Sequence, residues 1–568
     1  MYVLEKTINQ IKQNIIITIK NLIETNQIHN NNYDLDNLNF DVEIPGDNIH
    51  GELSSNIALV CAKKFRVSPR ILADLIKNNI NTDNLYVKNI EVAGPGFINF
   101  YLSPDFFAEN LKEIYENNNN YGKCNYGQNK KVMIEFVSAN PTGPMHIGNA
   151  RLGALGDCLA DIMKTTGFNV YKEFYVNDAG NQILKFGKSL RIRYLQICDK
   201  NKENKNNIIM PEDCYQGSDI TELAQEFFDI HKFEFLDTPE QDLDNKLIEF
   251  ALPKNINKIK EDLEKYKIFY DNWFYESELY GTNQVNNIIN ILKEKNLTYL
   301  KDNCLWFKTS DFGSEKDEVL VRSNTIPTYF AADIAYHYNK FTARNFDICI
   351  NIWGADHHGH VERMKNSMQS LGINRNNLHV ILVQLVKLIK NGEIVRMSKR
   401  TGKSVQLSDL LEEVGTDSAR FIFNSQEPSS GMDFDLDLAV MQDSKNPVYY
   451  VQYAHARICN IFKNNNIIPD NSCDLSNLTH ESERNLIYFM SQYPMELIAC
   501  SRLYDPTKIT KYVINLANLF HKFYSSCKVN IPDNINLSKS RLYLCQCVRI
   551  IIKNILDIMK VNAPEFMN

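Results

Sequence analysis

Residues 135–151, EFVSANPTGPMHIGNAR, constrain this chain more than any other stretch. The run KVMIEFVS that leads into them is apolar enough for a strand covered on both faces, as a parallel sheet requires. Pro141, Gly143 and Pro144 predict a sharp turn. GALGDCLADIMKTTG then carries the period of a helix that stops at Gly167. A strand, a tight loop and a helix start, in that order, put the loop at the carboxyl edge of an α/β sheet, where such folds bind ligands. The helix start would turn its unpaired N–H groups toward an anion. His146 could donate to a phosphate, and Gly148 would let a base or ribose lie against the backbone. A plain strand-to-helix turn with one exposed histidine fits the same letters.

NVYKEFYV, FDICINIWG and HVILVQLV read as further buried strands with helices between them. The expected fold class is therefore α/β, a Rossmann-type doubly wound parallel sheet over residues 121–415, with a charged helical insertion at about 195–300. Residues 1–120 read as an N-terminal α+β domain: a helix, then the alternating VKNIEVAGPGFINFYLS around a Gly-Pro-Gly turn. YENNNNYGKCNYGQNK has the composition of a linker. After about Asp417 the strand signal largely fades, and residues 416–568 are expected to form an all-α helical bundle.

The chain has 568 residues, enough for several domains. A formal net charge of -7 argues against a protein that coats nucleic acid, though not against a local basic face. The 13 cysteines are scattered, and only Cys545 and Cys547 stand close together, so reduced thiols in a cytosol are expected. No uninterrupted apolar run has the length of a membrane span. A cytoplasmic protein follows, and without sustained heptads a monomer is expected.

A second stretch, GEIVRMSKRTGKSVQL, gathers Arg396, Lys399, Arg400 and Lys403 around Ser398, Thr401 and Gly402. Basic residues on a loop of small residues suit a polyphosphate that must be clamped and released. Taken alone, a solvated charge run explains it better. Taken with the first stretch it says more. His-Ile-Gly-Asn followed by Arg-Met-Ser-Lys-Arg resembles the two signatures of class I aminoacyl-tRNA synthetases, His-Ile-Gly-His and Lys-Met-Ser-Lys-Ser. YVNDAGNQI, PTYFAADIAYH, GADHHGH, FDLDLA, NPVYYVQYAHAR and the closing APEFMN resemble the arginyl-tRNA synthetase family, in that family's order and over nearly the whole chain. Asn149 stands where the signature has its second histidine; it can donate a hydrogen bond but carries no charge. Arg396 stands for the first lysine, with the charge kept and the geometry changed.

The resemblance implies an arginine--tRNA ligase. ATP, with Mg²⁺ on its phosphates, would be the co-substrate, and the partners would be L-arginine and tRNA(Arg), with no membrane. His146, Asn149 and Lys399 would stabilise the reacting phosphate, and Gly143, Gly148, Asp356, Met397 and Ser398 would complete the ATP site. No protein-bound metal is expected. Glu135 and Asp333 would be the carboxylates for the guanidinium, joined by Tyr329. Ser138, Asn140, His146 and His357 would hold the amino acid's own ends. Adenylate formation would require bound tRNA. The C-terminal bundle would read the anticodon, with Tyr450, Tyr453, Arg457 and Met567 in contact, and the N-terminal domain would touch the outer corner of the tRNA through Phe97 and Asn99. Ordinary helix packing for the tyrosines and a core position for Phe97 remain open on the sequence.

Three rivals compete. Asp356, His357, His358 and His360 in GADHHGH could be the ligands of a metal-dependent phosphoesterase. A paralogue that binds tRNA without catalysis is another. A class I enzyme for glutamate, cysteine or lysine is the third; an acidic pocket disfavours glutamate, and the absence of clustered cysteine ligands disfavours cysteine. The role of Tyr175–Ile183 stays open.

Overall fold

A computed structural model describes residues 1–29, 38–46, 50–202, 208–395, 405–465 and 469–567. In the N-terminal part, the helix Val3–Glu24 buries Leu4, Ile8, Ile11, Ile15, Ile19 and Leu22, the three-and-four spacing of a one-sided helix. It packs beside an antiparallel sheet ordered Val42–Glu43, Leu53–Ser55, Phe97–Leu102, Val87–Ala93. Ser68 caps the helix Pro69–Asn79 by accepting from the Ile71 N–H, with Pro69 in the first turn, where its missing N–H is no loss.

The stretch expected to be a linker is packed instead. Tyr121 is 1% exposed and meets Tyr2 edge-on at 5.0 Å and Tyr493 at 5.9 Å. Asn110 donates to the Ile487 carbonyl at 3.1 Å, and Tyr115 stacks on Tyr543 at 4.5 Å. The N-terminal part and the C-terminal helices therefore share one apolar core. Two aromatic side chains in an asparagine-rich run are enough to override the composition.

The central sheet has five parallel strands: β1 (Lys131–Glu135), β2 (Asn169–Val176), β3 (Asn272–Tyr275), β4 (Ile348–Gly354) and β5 (Leu378–Val383). Their order is β3-β2-β1-β4-β5, all parallel. The direction of winding reverses between β1 and β4, and the crevice beyond their carboxyl ends is where a doubly wound sheet takes its ligand. Between β2 and β3 lie helices Asn181–Asn201, Ser218–His231 and Glu240–Lys265, with a small core of their own around Phe186, Tyr194, Phe227 and Leu247. The insertion thus starts earlier than residue 195, and β3 falls inside the span read as helical. Four residues, NWFY, are too short to show a period. A second strand in a region read as helical, Met432–Asp435, pairs in parallel with Val386–Lys390.

Beyond the sheet, Pro447–Lys463, Glu481–Ser491, Tyr493–Leu503, Thr507–Ser526 and Ile535–Met559 form the C-terminal bundle. It is keyed to the sheet through one buried carboxylate. Asp157, on the helix that follows β1, pairs with Lys172 of β2 at 2.9 Å, Arg420 at 2.6 Å and Lys560 at 2.8 Å. Arg420 is fully buried and also donates to the carbonyls of Met559 and Tyr266. These cations hold the Asp157 carboxyl far below the usual range against the opposing effect of burial. Asp157→Asn would strand the cations, two of them buried, and is expected to destabilise the fold by about 3–5 kcal/mol. A thermal melt with no loss of midpoint would contradict this account of the junction.

Candidate active site

β1 delivers Glu135 to the crevice, and the chain then turns through Val137 and Ser138 at φ of 68° and 41°. A β-branched residue rarely adopts that backbone region, and such strain gathers at functional sites. The turn is pinned: Ser138 Oγ donates to Glu135 Oε1 at 3.2 Å and accepts from the Tyr175 N–H at 3.1 Å.

His146 caps the next helix, Ile147–Thr165. Its Nδ1 accepts from the Gly148 N–H at 3.1 Å, while Asn149 Oδ1 accepts from the His146 N–H at 3.0 Å. Because Nδ1 is an acceptor, the ring's proton sits on Nε2, which is left to donate outward. Desolvation by the surrounding protein lowers the pKa, favouring this neutral form. Asn149 uses its oxygen in the cap, so its amide hydrogens are what it can offer a ligand. A Cβ on Gly148 would lie 2.9 Å from the His146 ring, so this position must be glycine for the ring to fold over it. The basic stretch meets this cap on its return: Gln406 bridges to His146, and the Leu407 N–H donates to the Met145 carbonyl at 2.9 Å. Arg396, Met397, Ser398, Lys399, Arg400, Thr401, Gly402 and Lys403 themselves lie outside the described residues.

Across the crevice, helix Tyr329–Thr342 presents Tyr329 and Asp333 one turn apart. The Tyr329 hydroxyl accepts from the Asn181 N–H at 2.6 Å, and a side chain on Gly180, at φ 79°, would strike its ring. This gives Tyr175–Ile183 a role in seating Tyr329. Asp333 is partly exposed and lies 3.0 Å from His360 Nε2. Arg363 donates to His360 Nδ1, so the ring meets Asp333 as a neutral donor and leaves its charge unspent.

A second carboxylate stands beside Asp333 that the sequence did not single out. Glu276 is 3% exposed at the start of the helix after β3, near the Tyr280 hydroxyl. Burial, with Asp333 and Asp178 nearby, raises its pKa to about 7. Asp178 is itself fixed by the N–H and hydroxyl of Ser277. Glu135 is held in place as well: its Oε2 accepts from the fully buried Lys340 at 2.6 Å.

Asp356 and His357 follow β4 at its carboxyl end, both well exposed and 3.6 Å apart. Asn140 is exposed on the β1 loop and Gly143 partly so. Among the described residues no group of His, Cys, Asp and Glu is arranged to hold a metal ion, and His360 is engaged with Asp333 and Arg363.

In the C-terminal bundle, Tyr453, Arg457 and Met567 line a cavity of about 560 Å³ with Asn460, Asn464, Tyr524 and Phe566. Arg457 lies over the rings of Tyr453 and Tyr524 at 4.6 and 5.3 Å. Tyr450 packs against His521 at 4.8 Å outside that cavity. At the N-terminal sheet Phe97 is 37% exposed, but Asn99 is 2% exposed with its Oδ1 accepting from Ser54 Oγ at 2.8 Å. The expectation of Asn99 as a surface contact is thus corrected: its side chain is buried, with the amide oxygen accepting from the Ser54 hydroxyl.

Three family models match the chain. Residues 9–102 match the family described as arginyl tRNA synthetase N terminal domain, residues 110–460 match tRNA synthetases class I (R), catalytic domain, and residues 451–567 match DALR anticodon binding domain. An arginine--tRNA ligase of Caldanaerobacter subterraneus subsp. tengcongensis is 51% identical over 532 residues, 93% of each chain. One from Ruminiclostridium cellulolyticum is 48% identical over 563 residues, 98% of each. The Thermus thermophilus arginyl-tRNA synthetase structure superposes with a TM-score of 0.74 at 18% identity, over 99% of this chain and 100% of that one. Among the described residues no helix is long and apolar enough to cross a membrane.

Proposed function

The chain belongs to the arginyl-tRNA synthetase family, and from that premise we propose that it activates L-arginine with ATP and transfers it to the 3′ end of tRNA(Arg). The observation that carries the reading is the set of carboxylates at the carboxyl edge of the sheet, Glu135 and Asp333 with Glu276 near them, together with the His146-capped helix start. A guanidinium is a planar cation with five donors and needs carboxylates around it. Glu135 and Asp333 supply them, with Glu276 and the Tyr329 hydroxyl close by, while Ser138, Asn140, His146 and His357 hold the amino acid's own ends.

The arginine carboxylate attacks the α-phosphate of ATP, brought in as its Mg²⁺ complex, and pyrophosphate leaves. The terminal ribose hydroxyl of the tRNA then attacks the activated carbonyl and AMP leaves. No enzyme nucleophile is needed, so catalysis consists of positioning and charge stabilisation. The Nε2–H of His146, the Asn149 amide and the helix N–H groups face the phosphates, with Lys399 from the basic loop. Gly143, Gly148, Met397 and Ser398 border the nucleotide, and Asp356 holds its ribose. Residues 1–120, 121–415 and 416–568 serve as tRNA-corner, catalytic and anticodon domains. A base entering the cavity over Tyr453 and Arg457, near Met567, suits single-stranded recognition, with Tyr450 and Phe97 as outer contacts. The protein acts in the cytoplasm as a monomer, and tRNA must be bound before adenylate forms.

Labelled arginine should appear on tRNA(Arg), with lysine excluded; transfer of lysine at a similar rate would refute the reading. The pH dependence is a finer check. With the pocket empty, Glu276 is about half protonated near pH 7. A bound guanidinium favours the ionised form, so the KM for arginine should fall as pH rises from about 6 to about 8. The same shift, from 4.5 to about 7, means the empty enzyme loses stability as pH climbs through that window. Glu276→Gln should flatten the KM profile; an unchanged profile would remove Glu276 from the pocket.

A further inference from the structure

Arg151 stands five residues after His146, on the helix Ile147–Thr165, and is 0% exposed. A buried guanidinium is costly unless its surroundings answer its charge, and a carboxylate is the usual answer. Here the acceptors are main-chain carbonyls. Nη1 donates to those of Gln384 at 2.9 Å and Ser430 at 3.0 Å, and Nη2 to those of Glu427 at 2.9 Å and Gln426 at 3.4 Å. Gln426 and Glu427 follow the end of the helix Leu407–Phe423, where carbonyls carry the negative pole of the helix. Desolvation pulls the pKa of Arg151 down to about 10, which leaves it charged at neutral pH. Gln384 leads from β5 into the strand Val386–Lys390, which turns back as Glu393–Ile394 and so delivers the chain to the basic stretch. The base of this hairpin is laced to residues 428–432: the Gln384 N–H donates to the Pro428 carbonyl at 2.9 Å, and the Met432 N–H to the Leu385 carbonyl at 3.1 Å. Its tip is held by Asp437, which accepts from the Asn391 N–H and gives the FDLDLA run a role. On the far side of the basic stretch, Gln406 and Leu407 meet His146 and Met145. Both described flanks of that stretch are thus tied to one helix, the returning flank at its cap and the outgoing hairpin through Arg151.

We infer that Arg151 is a positioning residue for the attack on ATP: its fork fixes the hairpin that leads into the basic stretch against the helix whose capped start faces the phosphates. The geometry of the fork carries the argument. One edge of a planar guanidinium reaches the hairpin base at Gln384 and the other reaches the loop after helix Leu407–Phe423, so two segments far apart in the chain share one rigid group. An ammonium is a point charge on a flexible stem and cannot hold both edges at once. The acceptors are backbone atoms, so the link sets the course of the main chain itself rather than the pose of a side chain. A step that depends on positioning is sensitive to such a link, since a shift of about 1 Å in a group far from the chemistry costs about 10²-fold in rate. Arg151 touches neither substrate in this account; it acts through the segments that it joins.

The inference rests on the adenylation reading above, and its test keeps the two apart. Pyrophosphate–ATP exchange is measured with tRNA(Arg) present for wild type, Arg151→Lys and Asn424→Ala, with ATP and arginine varied in turn and thermal melts as fold controls. Arg151→Lys keeps the charge but loses the fork. It should lower kcat/KM for ATP by about 10–100-fold while the arginine KM stays within about threefold of wild type. Asn424→Ala is the structural control. Asn424 Nδ2 donates to the Ala154 carbonyl at 3.2 Å and so ties the same two helices without touching the hairpin. It should lower the melting temperature yet leave both kinetic profiles within about twofold of wild type. Arg151→Lys with an unchanged ATP dependence, or with ATP and arginine parameters impaired alike, would overturn the inference. If lysine unfolds the chain, Arg151→Gln, which buries no charge and keeps two donors, gives the same comparison, and a chain that folds with neither would overturn the inference by making Arg151 a stability residue alone. Wild-type enzyme without arginine-dependent exchange would instead overturn the adenylation reading.

Discussion

Asp333→Asn is expected to lower kcat/KM for arginine by about 10²–10⁴-fold, the range for truncating one member of a desolvated charge pair. The side chain keeps its size, and the amide oxygen can still accept from His360 Nε2, now 3.0 Å from the carboxylate. The fold should therefore survive. What changes is the charge and the sign of one dipole: an N–H₂ group faces a guanidinium that has only donors. Among the described residues no lysine or arginine pairs with Asp333, whose contact is His360. Most of the loss should appear in KM, since the guanidinium lies away from the reacting carboxylate and its contact is made equally in the ground and transition states. Steady-state kinetics on a variant of native melting temperature check this. An unaltered KM would place the guanidinium elsewhere.

His146→Ala should lower kcat by about 10²–10³-fold, the typical effect of removing one donor to developing phosphate charge. Alanine also removes the cap that accepts from Gly148, which should cost about 0.5–2 kcal/mol of stability. His146→Asn separates the two effects. Asparagine is a good N-cap and should restore the melting temperature, but it is too short to replace the Nε2–H, so kcat should stay low. If His146→Asn kept wild-type kcat, the imidazole would be structural only.

The parts of the fold that repeat were legible in the sequence. Strands buried on both faces, such as β1 and β4, show as continuous apolar runs, and one-sided helices such as Val3–Glu24 show through period. The turn before His146 was legible because Pro141, Gly143 and Pro144 restrict the backbone there, whereas the cap that His146 forms was not. What escaped was set by tertiary neighbours. β3 is four residues whose partner, β2, is nearly a hundred positions away. Glu276 follows β3 in an unremarkable WFYESELYG, and nothing local marks one glutamate as buried beside an aspartate fifty-seven residues later. Lys340 reads as a solvated last-turn lysine until β1 and β4 are folded against it. Asn99 sits at the expected place on its strand, but its side chain is buried and bonded to Ser54 of the paired strand. Tyr121 turns a polar stretch into an anchor because a hydrophobic cleft awaits it. In each case the deciding partner lies far along the chain.

The most direct test of the central claim, that this crevice selects arginine and activates it with ATP, is pyrophosphate–ATP exchange with arginine, run with and without tRNA(Arg) and with lysine as control. Exchange that depends on arginine, appears when the tRNA is present and is absent with lysine is the predicted result. No exchange under any condition from folded protein that still binds tRNA, or equal exchange with lysine, would contradict it.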